Sequence, residues 1–374
     1  MTTGGYIIWI MEILAAIGIL YGAQYRLRQK DRPGLRIIIF WVKFLMIPGL
    51  SILYMTVQSA FTYRLEREIL ALYVALIGDV TASVVEYAVR RIRQRKEEKS
   101  GRKPCRQVML ISMSLIISFC YLAYGIWNAV SIRMNATEVE VEGLERTHRF
   151  AVVSDLHAGS AQTLDTIRDM CQQINAEDPE FVIFIGDITD AFTTYQDMVT
   201  TYEILAEIRA PKYYIYGNHD RQPDADAVGG RTYTDEQLIH EVEKAGFRIL
   251  VDEYVRVTED IVLLGREVYG LEERKAWSEL ENPSKGSGAL IVADHKPMDR
   301  EQMESEDAFL QVSGHMHAGG QFWLNYLFYR AAQYPALGVY DYPNKQVLVS
   351  AGASGWRVPL RTTSHCEWEL VTIH

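Results

Sequence analysis

The run Val152-Val153-Ser154-Asp155-Leu156-His157 decides the fold. β-Branched apolar residues, which suit a strand buried on both faces, stop abruptly at a carboxylate and an imidazole two positions apart. In an α/β sheet the crevice beyond the carboxyl ends of the strands is where ligands collect. Working outward, the pattern recurs. Phe181–Ile185 leads into Gly186-Asp187-Ile188-Thr189-Asp190, and Tyr213–Tyr216 into Gly217-Asn218-His219-Asp220. Ile291-Val292-Ala293 leads into Asp294-His295, and Val312-Ser313 into Gly314-His315-Met316-His317. Five apolar runs, each ended by Asp, His or Asn, predict one oxygen-and-nitrogen metal site.

The residue types fit that chemistry. Asp155 and His157, at i and i+2, can both turn onto one ion as the chain leaves the sheet. Asp187 is the natural bridge, since one carboxylate offers two oxygens to two cations. Asn218 supplies a neutral oxygen, and His295, His315 and His317 supply imidazole nitrogens. Such a mixed set suits divalent Mn, Fe or Zn better than Ca or Mg. Two such ions can hold a bridging hydroxide and clamp a phosphoryl oxygen. His219, beside Asn218, is then placed to protonate the departing alkoxide, with Asp220 or Asp190 orienting its ring.

Composition divides the chain near residue 131. Of 374 residues, 48% are hydrophobic and the net charge is −10. The acidic residues belong mainly to the second part, which argues against a nucleic-acid partner because phosphate backbones reward a basic face. The first part alternates long apolar stretches with basic clusters. Four spans are predicted, at Tyr6–Tyr25, Ile37–Val57, Ile69–Val89 and Val108–Val130, each about the length that crosses a bilayer. The first connection carries Arg26, Arg28, Lys30, Arg32 and Arg36, and the third carries a longer basic run from Arg90 to Arg106. The positive-inside rule puts both in the cytoplasm and everything after Val130 outside. Lys43 and Asp79 fall within spans, where they could form a structural ion pair or mark a lipid- or ion-handling site.

Residues 132–148 read as a polar connector, with a glycosylation sequon at Asn135-Ala136-Thr137. From 149 to 374, strand and helix patterns alternate. Helices are predicted at Ala161–Asn175, Tyr195–Ile208 and Asp235–Ala245. Strands are predicted at Phe247–Val251, Asp260–Leu264, Leu290–Asp294, Phe309–Ser313, Gln346–Ser350 and Trp368–Ile373. Early parallel βα units followed by shorter strands imply two packed sheets with helices outside. Cys171 and Cys366 could pair, but without a close spacing pattern two buried thiols are the simpler reading.

Asp155-x-His157, Gly186-Asp187-x-x-Asp190, Gly217-Asn218-His219-Asp220, Asp294-His295 and Gly314-His315-x-His317 resemble the five-block signature of calcineurin-like metallophosphoesterases, in the family's order. The resemblance implies an α/β fold, a double β-sandwich flanked by helices (αββα), over residues 149–374, following a four-span region at 1–131. It implies that Asp155, His157, Asp187 and His317 hold one divalent ion, with Asp187, Asn218, His295 and His315 holding a second. Manganese is the first expectation, with iron or zinc as alternatives, and His219 is the acid. The family often has Glu where this chain has Asp220. The stretches His317–Gln321 and Ser350–Arg361 further resemble the membrane-associated branch that includes bacterial phosphoesterases acting on lipid-linked substrates. There Arg357 or Arg361 could clamp a phosphate, or the segment could be a glycine-rich turn with surface arginines. The aromatic segment Phe322–Tyr329, with Trp323, could rest on the bilayer as a substrate contact or form a core hairpin.

The expectation is therefore a membrane-anchored phosphoester hydrolase acting outside the cytoplasm, on a lipid or envelope-precursor phosphoester. The alternatives are a general phosphodiesterase or nucleotidase with the spans only as anchor, or a metal-regulated membrane sensor or transporter.

Overall fold

In the computed structural model the chain divides into two units, Met1–Ile126 and Trp127–His374. The structure describes residues 11–12, 14–19, 33–56, 66–94, 105–141, 144, 146–221, 231–281, 283, 289–298, 308–320, 323–343, 345–355 and 359–374. The first unit contains α1 (Pro33–Thr56) and α2 (Glu66–Gln94), and α3 (Cys105–Ala129) leads out of it. Among the described residues two helical stretches, Glu68–Val89 and Met109–Ala129, are long and apolar enough to cross a membrane, and α1 contributes the shorter apolar stretch Ile37–Ser51. Of the first predicted span, residues 11–12 and 14–19 are helical and the remainder lies outside the described residues. Lys43 Nζ donates to Asp79 Oδ2 at 2.8 Å between α1 and α2, both side chains buried.

The second unit runs β1 (Ile132–Val139), β2 (His148–Val153), α4 (Leu164–Glu177), β3 (Val182–Phe184), α5 (Tyr195–Leu205), β4 (Lys212–Tyr214), α6 (Asn218–Arg221), α7 (Asp235–Lys244) and β5 (Phe247–Ile249). It continues through β6 (Glu253–Arg256), β7 (Ile261–Gly265), β8 (Ala289–Ala293), β9 (Ala308–Ser313), α8 (Trp323–Ala331), β10 (Gly338–Tyr342), β11 (Lys345–Val349) and β12 (Cys366–Ile373). These strands form two six-stranded sheets, ordered β1-β12-β2-β3-β4-β5 and β10-β11-β9-β8-β7-β6.

β2 shows how the layers meet. Phe150 and Val152 join a core with Ile183, Leu263, Ile291, Leu310 and Leu348, which fills the space between the sheets. Ala151 and Val153, on the opposite face, pack with Ile167, Met170 and Ile174 of α4 and Met198 and Leu205 of α5. From Phe150 to Val153 both faces of the strand are buried, which is why this part of its sequence is apolar without alternation. The helices start where threonines cap them: Thr163, Thr194 and Thr234 each accept a backbone N–H, and Gln237 completes a capping box at Thr234. Along α4, Ile167, Met170, Cys171 and Ile174 recur at helical spacing and form its buried stripe.

Residues 132–139 correct the connector reading. They form edge strand β1, parallel to β12, with Asn135 opposite Glu369. Asn135 Nδ2 donates to both oxygens of Glu369, at 3.1 and 3.0 Å, and Thr137 Oγ1 donates to it at 2.9 Å. The sequon is thus engaged in the sheet and does not present a free amide. Cys171 and Cys366 are buried free thiols, and burial pushes Cys171 up to about 12.

Burial, reinforced by the neighbouring charge of Glu367, pushes the Glu369 carboxyl up to about 8. A carboxyl raised above its ordinary value near ~4.3 binds its proton more tightly folded than unfolded. Its stabilising contribution is full below the unfolded value and is lost as pH rises toward about 8. Glu369→Gln, which keeps an acceptor for Thr137, is expected to raise the melting temperature at about pH 8.5 and to change it little at about pH 4. Equal shifts at the two pH values would refute the assignment.

Candidate metal centre

β2, β3 and β4 are neighbouring parallel strands, so their carboxyl ends deliver Asp155 and His157, Asp187, and Asn218 to one edge of the first sheet. In the second sheet β8 and β9, also parallel, deliver His295, His315 and His317. The loops beyond these ends are tied to each other. Asp155 N donates to Gly186 O at 3.0 Å, His157 N to Asp187 O at 3.1 Å, and Gly314 N to His295 O at 3.0 Å. Five candidate ligands have left-handed backbone: Asp155 (φ 54°), His157 (φ 43°), Asp187 (φ 54°), His315 (φ 69°) and His317 (φ 46°). Each such residue costs roughly 1–3 kcal/mol and persists only where its surroundings over-determine it, a pattern that clusters at functional sites.

Two groups of ligand atoms result. Asp155, His157 and His317 form one, and Asp187, His295 and His315 the other; within each, all ligand atoms lie within 4.8 Å of one another. Asp187 stands between them, its Oδ2 3.1 Å from His295 Nε2 and 3.9 Å from His157 Nε2. Three imidazoles are fixed through Nδ1, by Asp190 Oδ2 at 3.2 Å for His157, Ile185 O at 2.8 Å for His295, and Ser354 O at 3.1 Å for His317. That leaves Nε2 of each for the centre, the outer-shell arrangement that orients metal-binding histidines. Among the described residues Asp155 Oδ1, His157 Nε2, Asn218 Oδ1 and His295 Nε2 are buried without a hydrogen-bond partner. Buried polar atoms are otherwise nearly always paired. Four orphans converging from three loops are what a pair of divalent cations would satisfy, so the donor set fits metal.

The sequence model of the calcineurin-like phosphoesterase family matches residues 148–319, which contain every one of these ligands. The chain carries a calcineurin-like metallophosphoesterase domain. It is 26% identical over 262 residues to an uncharacterized metallophosphoesterase of Aquifex aeolicus, covering 67% of this chain and 95% of that protein. It is also 26% identical over 297 residues to a Danio rerio transmembrane protein with metallophosphoesterase domain, covering 72% of this chain and 63% of the relative. Among solved structures, a dimetal phosphatase from Danio rerio aligns with a TM-score of 0.39 at 11% identity, over 56% of this chain and 88% of that one.

Within the phosphoesterase domain, electrostatics follow from burial. It drives His315 down to about 3 and His317 to about 4, so both are neutral imidazoles, the form that ligates a cation. His295 is the exception: Asp187 overcomes the burial penalty and raises it to about 9. Burial holds His219 below its ordinary value. Its ring packs edge-on to His157, centroids 5.1 Å apart, and its backbone N–H donates to Asp187 Oδ1 at 2.7 Å.

Several sequence expectations are redrawn. Asp220, read as orienting His219, accepts five hydrogen bonds, from the backbone of Gly217, Asp187, Ile188 and Thr189 and from the Thr189 hydroxyl. It braces the Asp187 loop against the Asn218 loop. Asp190 faces His157 and accepts from Ser160 Oγ at 2.5 Å. Arg361, read as a phosphate clamp or surface residue, is fully buried and donates to the carbonyls of Ala351 and Ser354. Arg357 lies outside the described residues. Residues 323–329 of the aromatic segment lie in helix α8, with Trp323 and Leu327 exposed, and form no core hairpin; Phe322 lies outside the described residues. Two serines add supports that the sequence motifs do not include: Ser154 Oγ donates to Asp155 Oδ2 at 2.5 Å, and Ser354 Oγ to Asp155 O at 2.8 Å. Ser154 precedes a ligand in sequence, but nothing in the chain links Ser354 to Asp155 before folding.

Proposed function

We propose that the protein is a membrane-anchored binuclear metallophosphoesterase whose substrate is a lipid or envelope-precursor phosphoester. The observation that carries the hydrolytic part is the pair of Asp/His groups with Asp187 between them. In this reading Asp155, His157, Asp187 and His317 hold one ion, and Asp187, Asn218, His295 and His315 the other, with manganese as the first choice. Divalent cations there supply polarisation of a phosphoryl oxygen and acidification of water. The protein's own part is to hold the ligands and to move one proton. His219, anchored through its backbone to Asp187, delivers that proton to the leaving-group oxygen. A neutral buried imidazole is suited to this only beside an anion, and the phosphoester itself brings the negative charge that favours the protonated ring.

The membrane part of the reading is four spans within residues 1–131, with the catalytic domain on the extracytoplasmic face. Two long apolar helical stretches support it, as do large apolar side chains exposed on the helices of this part, including Ile37, Trp41 and Leu45 on α1 and Ile116 and Phe119 on α3. An uncovered apolar surface of this kind needs a nonaqueous neighbour. The basic run between α2 and α3 favours the cytoplasm for that connection. A lipid substrate is supported by α8, which follows the His317 turn closely and exposes Trp323 and Leu327.

Lipid extracts of cells producing active protein or Asp187→Asn protein, grown with manganese, test the substrate class. One phospholipid or lipid-linked sugar is expected to accumulate in the variant. Unchanged lipids, with soluble phosphodiesters still cleaved by the active protein, would leave an anchored general phosphodiesterase.

A further inference from the structure

Arg361 is among the largest fully buried side chains of the protein, and among the described residues its hydrogen bonds go to backbone carbonyls and a serine hydroxyl. Its guanidinium spends them on one loop. One terminal nitrogen donates to Ser354 O at 2.5 Å, the other donates to Ala351 O, and Nε donates to Ser364 Oγ at 3.1 Å. Ser354 O is also the atom that fixes His317, accepting from its Nδ1 at 3.1 Å. A carbonyl oxygen has two lone pairs, so it can take both donors at once.

The loop is held a second time from the end of α3. Asn128, itself buried, donates through Nδ2 to Arg361 O at 3.1 Å and to Ser364 O at 2.5 Å. Gln162 Nε2 bridges Ala129 O at 3.2 Å and Ala353 O at 2.8 Å. Together these bonds fix the position of Ser354 O from two sides. His317 has φ 46° and cannot rely on regular secondary structure to hold its ring.

We propose that Arg361 and Asn128 are positioning residues for His317: they hold the Ser354 carbonyl where it keeps the proton on Nδ1 and aims Nε2 at the centre. Nε2 stands 3.3 Å from Asp155 Oδ1, within the first ligand group. The inference rests on the reading of His317 as a metal ligand. Partners of this kind are worth about 10–100-fold in metal affinity. The fork of Arg is required because three acceptors lie around it in different directions, a demand a lysine ammonium meets only in part.

The test is manganese titration of the full-length protein, followed by electron paramagnetic resonance, which separates a coupled ion pair from an isolated ion. Wild type, His317→Ala, Arg361→Met, Arg361→Lys and Asn128→Ala are compared, with circular dichroism to show that each is folded. Arg361→Met is expected to bind one ion like wild type and the other about 10–100-fold more weakly, as a partial copy of His317→Ala. Arg361→Lys should recover part of the loss, and Asn128→Ala should show a smaller loss at the same ion. Should Arg361→Met fail to fold, Asn128→Ala decides. Folded variants with lowered melting temperatures but wild-type affinity for both ions would overturn the proposal, leaving the two residues purely structural. A wild-type protein that takes up fewer than two ions would instead bring down the ligand assignment itself.

Discussion

Asp187→Asn is expected to lower kcat/KM for a chromogenic phosphodiester by at least about 10³-fold, a loss of roughly 4 kcal/mol of transition-state stabilisation. The side chain is nearly isosteric, so shape cannot explain such a loss. Charge and sharing can. Oδ2 lies 3.1 Å from His295 Nε2 and 3.9 Å from His157 Nε2, while Oδ1 accepts the His219 N–H at 2.7 Å. Removing the charge therefore weakens both ligand groups and loosens the proposed acid together. Metal content separates this from a single-site defect: both ions should be bound more weakly. His219→Asn supplies the contrast, expected to keep both ions and to lose rate chiefly on esters with poor leaving groups. Wild-type turnover in Asp187→Asn would remove the bridge from the mechanism, and metal loss in His219→Asn would make that residue a ligand.

Much of this centre is legible in the chain because a buried parallel strand writes itself as an apolar run and ends at the sheet's edge. The candidate ligands of both groups stand two to four residues past such runs, and the α4, α5 and α7 stripes follow the same logic with helical spacing. What was not legible depends on partners distant in sequence. β1 looks polar because it is an edge strand, and its register is supplied by β12, whose Glu369 lies 234 residues after Asn135. Arg361 carries a charge that predicts exposure, and only the folded loop provides the carbonyls that bury it. Asp220 stands among ligands in the sequence yet turns to the backbone, since Gly217, Asp187, Ile188 and Thr189 present their N–H groups to it. Left-handed backbone at Asp155, His157 and Asp187 was equally hidden, because only glycine advertises that conformation.

Gly314→Ala carries the second large effect, and it acts through space. A Cβ at this position would lie 1.9 Å from Ser154 Oγ and 2.4 Å from Asp155 Oδ2. Neither atom can retreat easily. Ser154 and Asp155 are fully buried, and Asp155 Oδ2 already accepts from Ser154 Oγ at 2.5 Å and from His315 N at 3.0 Å. Nor is the clash confined to one loop, for it pushes the end of β9 away from the end of β2, the two strands that supply the first ligand group. Overpacking of a well-filled core costs roughly 1–3 kcal/mol, and the displaced carboxylate adds a loss of metal affinity that burial alone would not. The melting temperature of metal-free Gly314→Ala should therefore fall by several degrees. Its loss of affinity should be greatest for the ion held by Asp155, His157 and His317, with turnover lost in parallel. A variant that melts lower but binds both ions as wild type does would mean that the loop slides aside as a whole. The glycine would then serve packing, and the approach of the two sheets at Asp155 would not be what sets the ligand geometry.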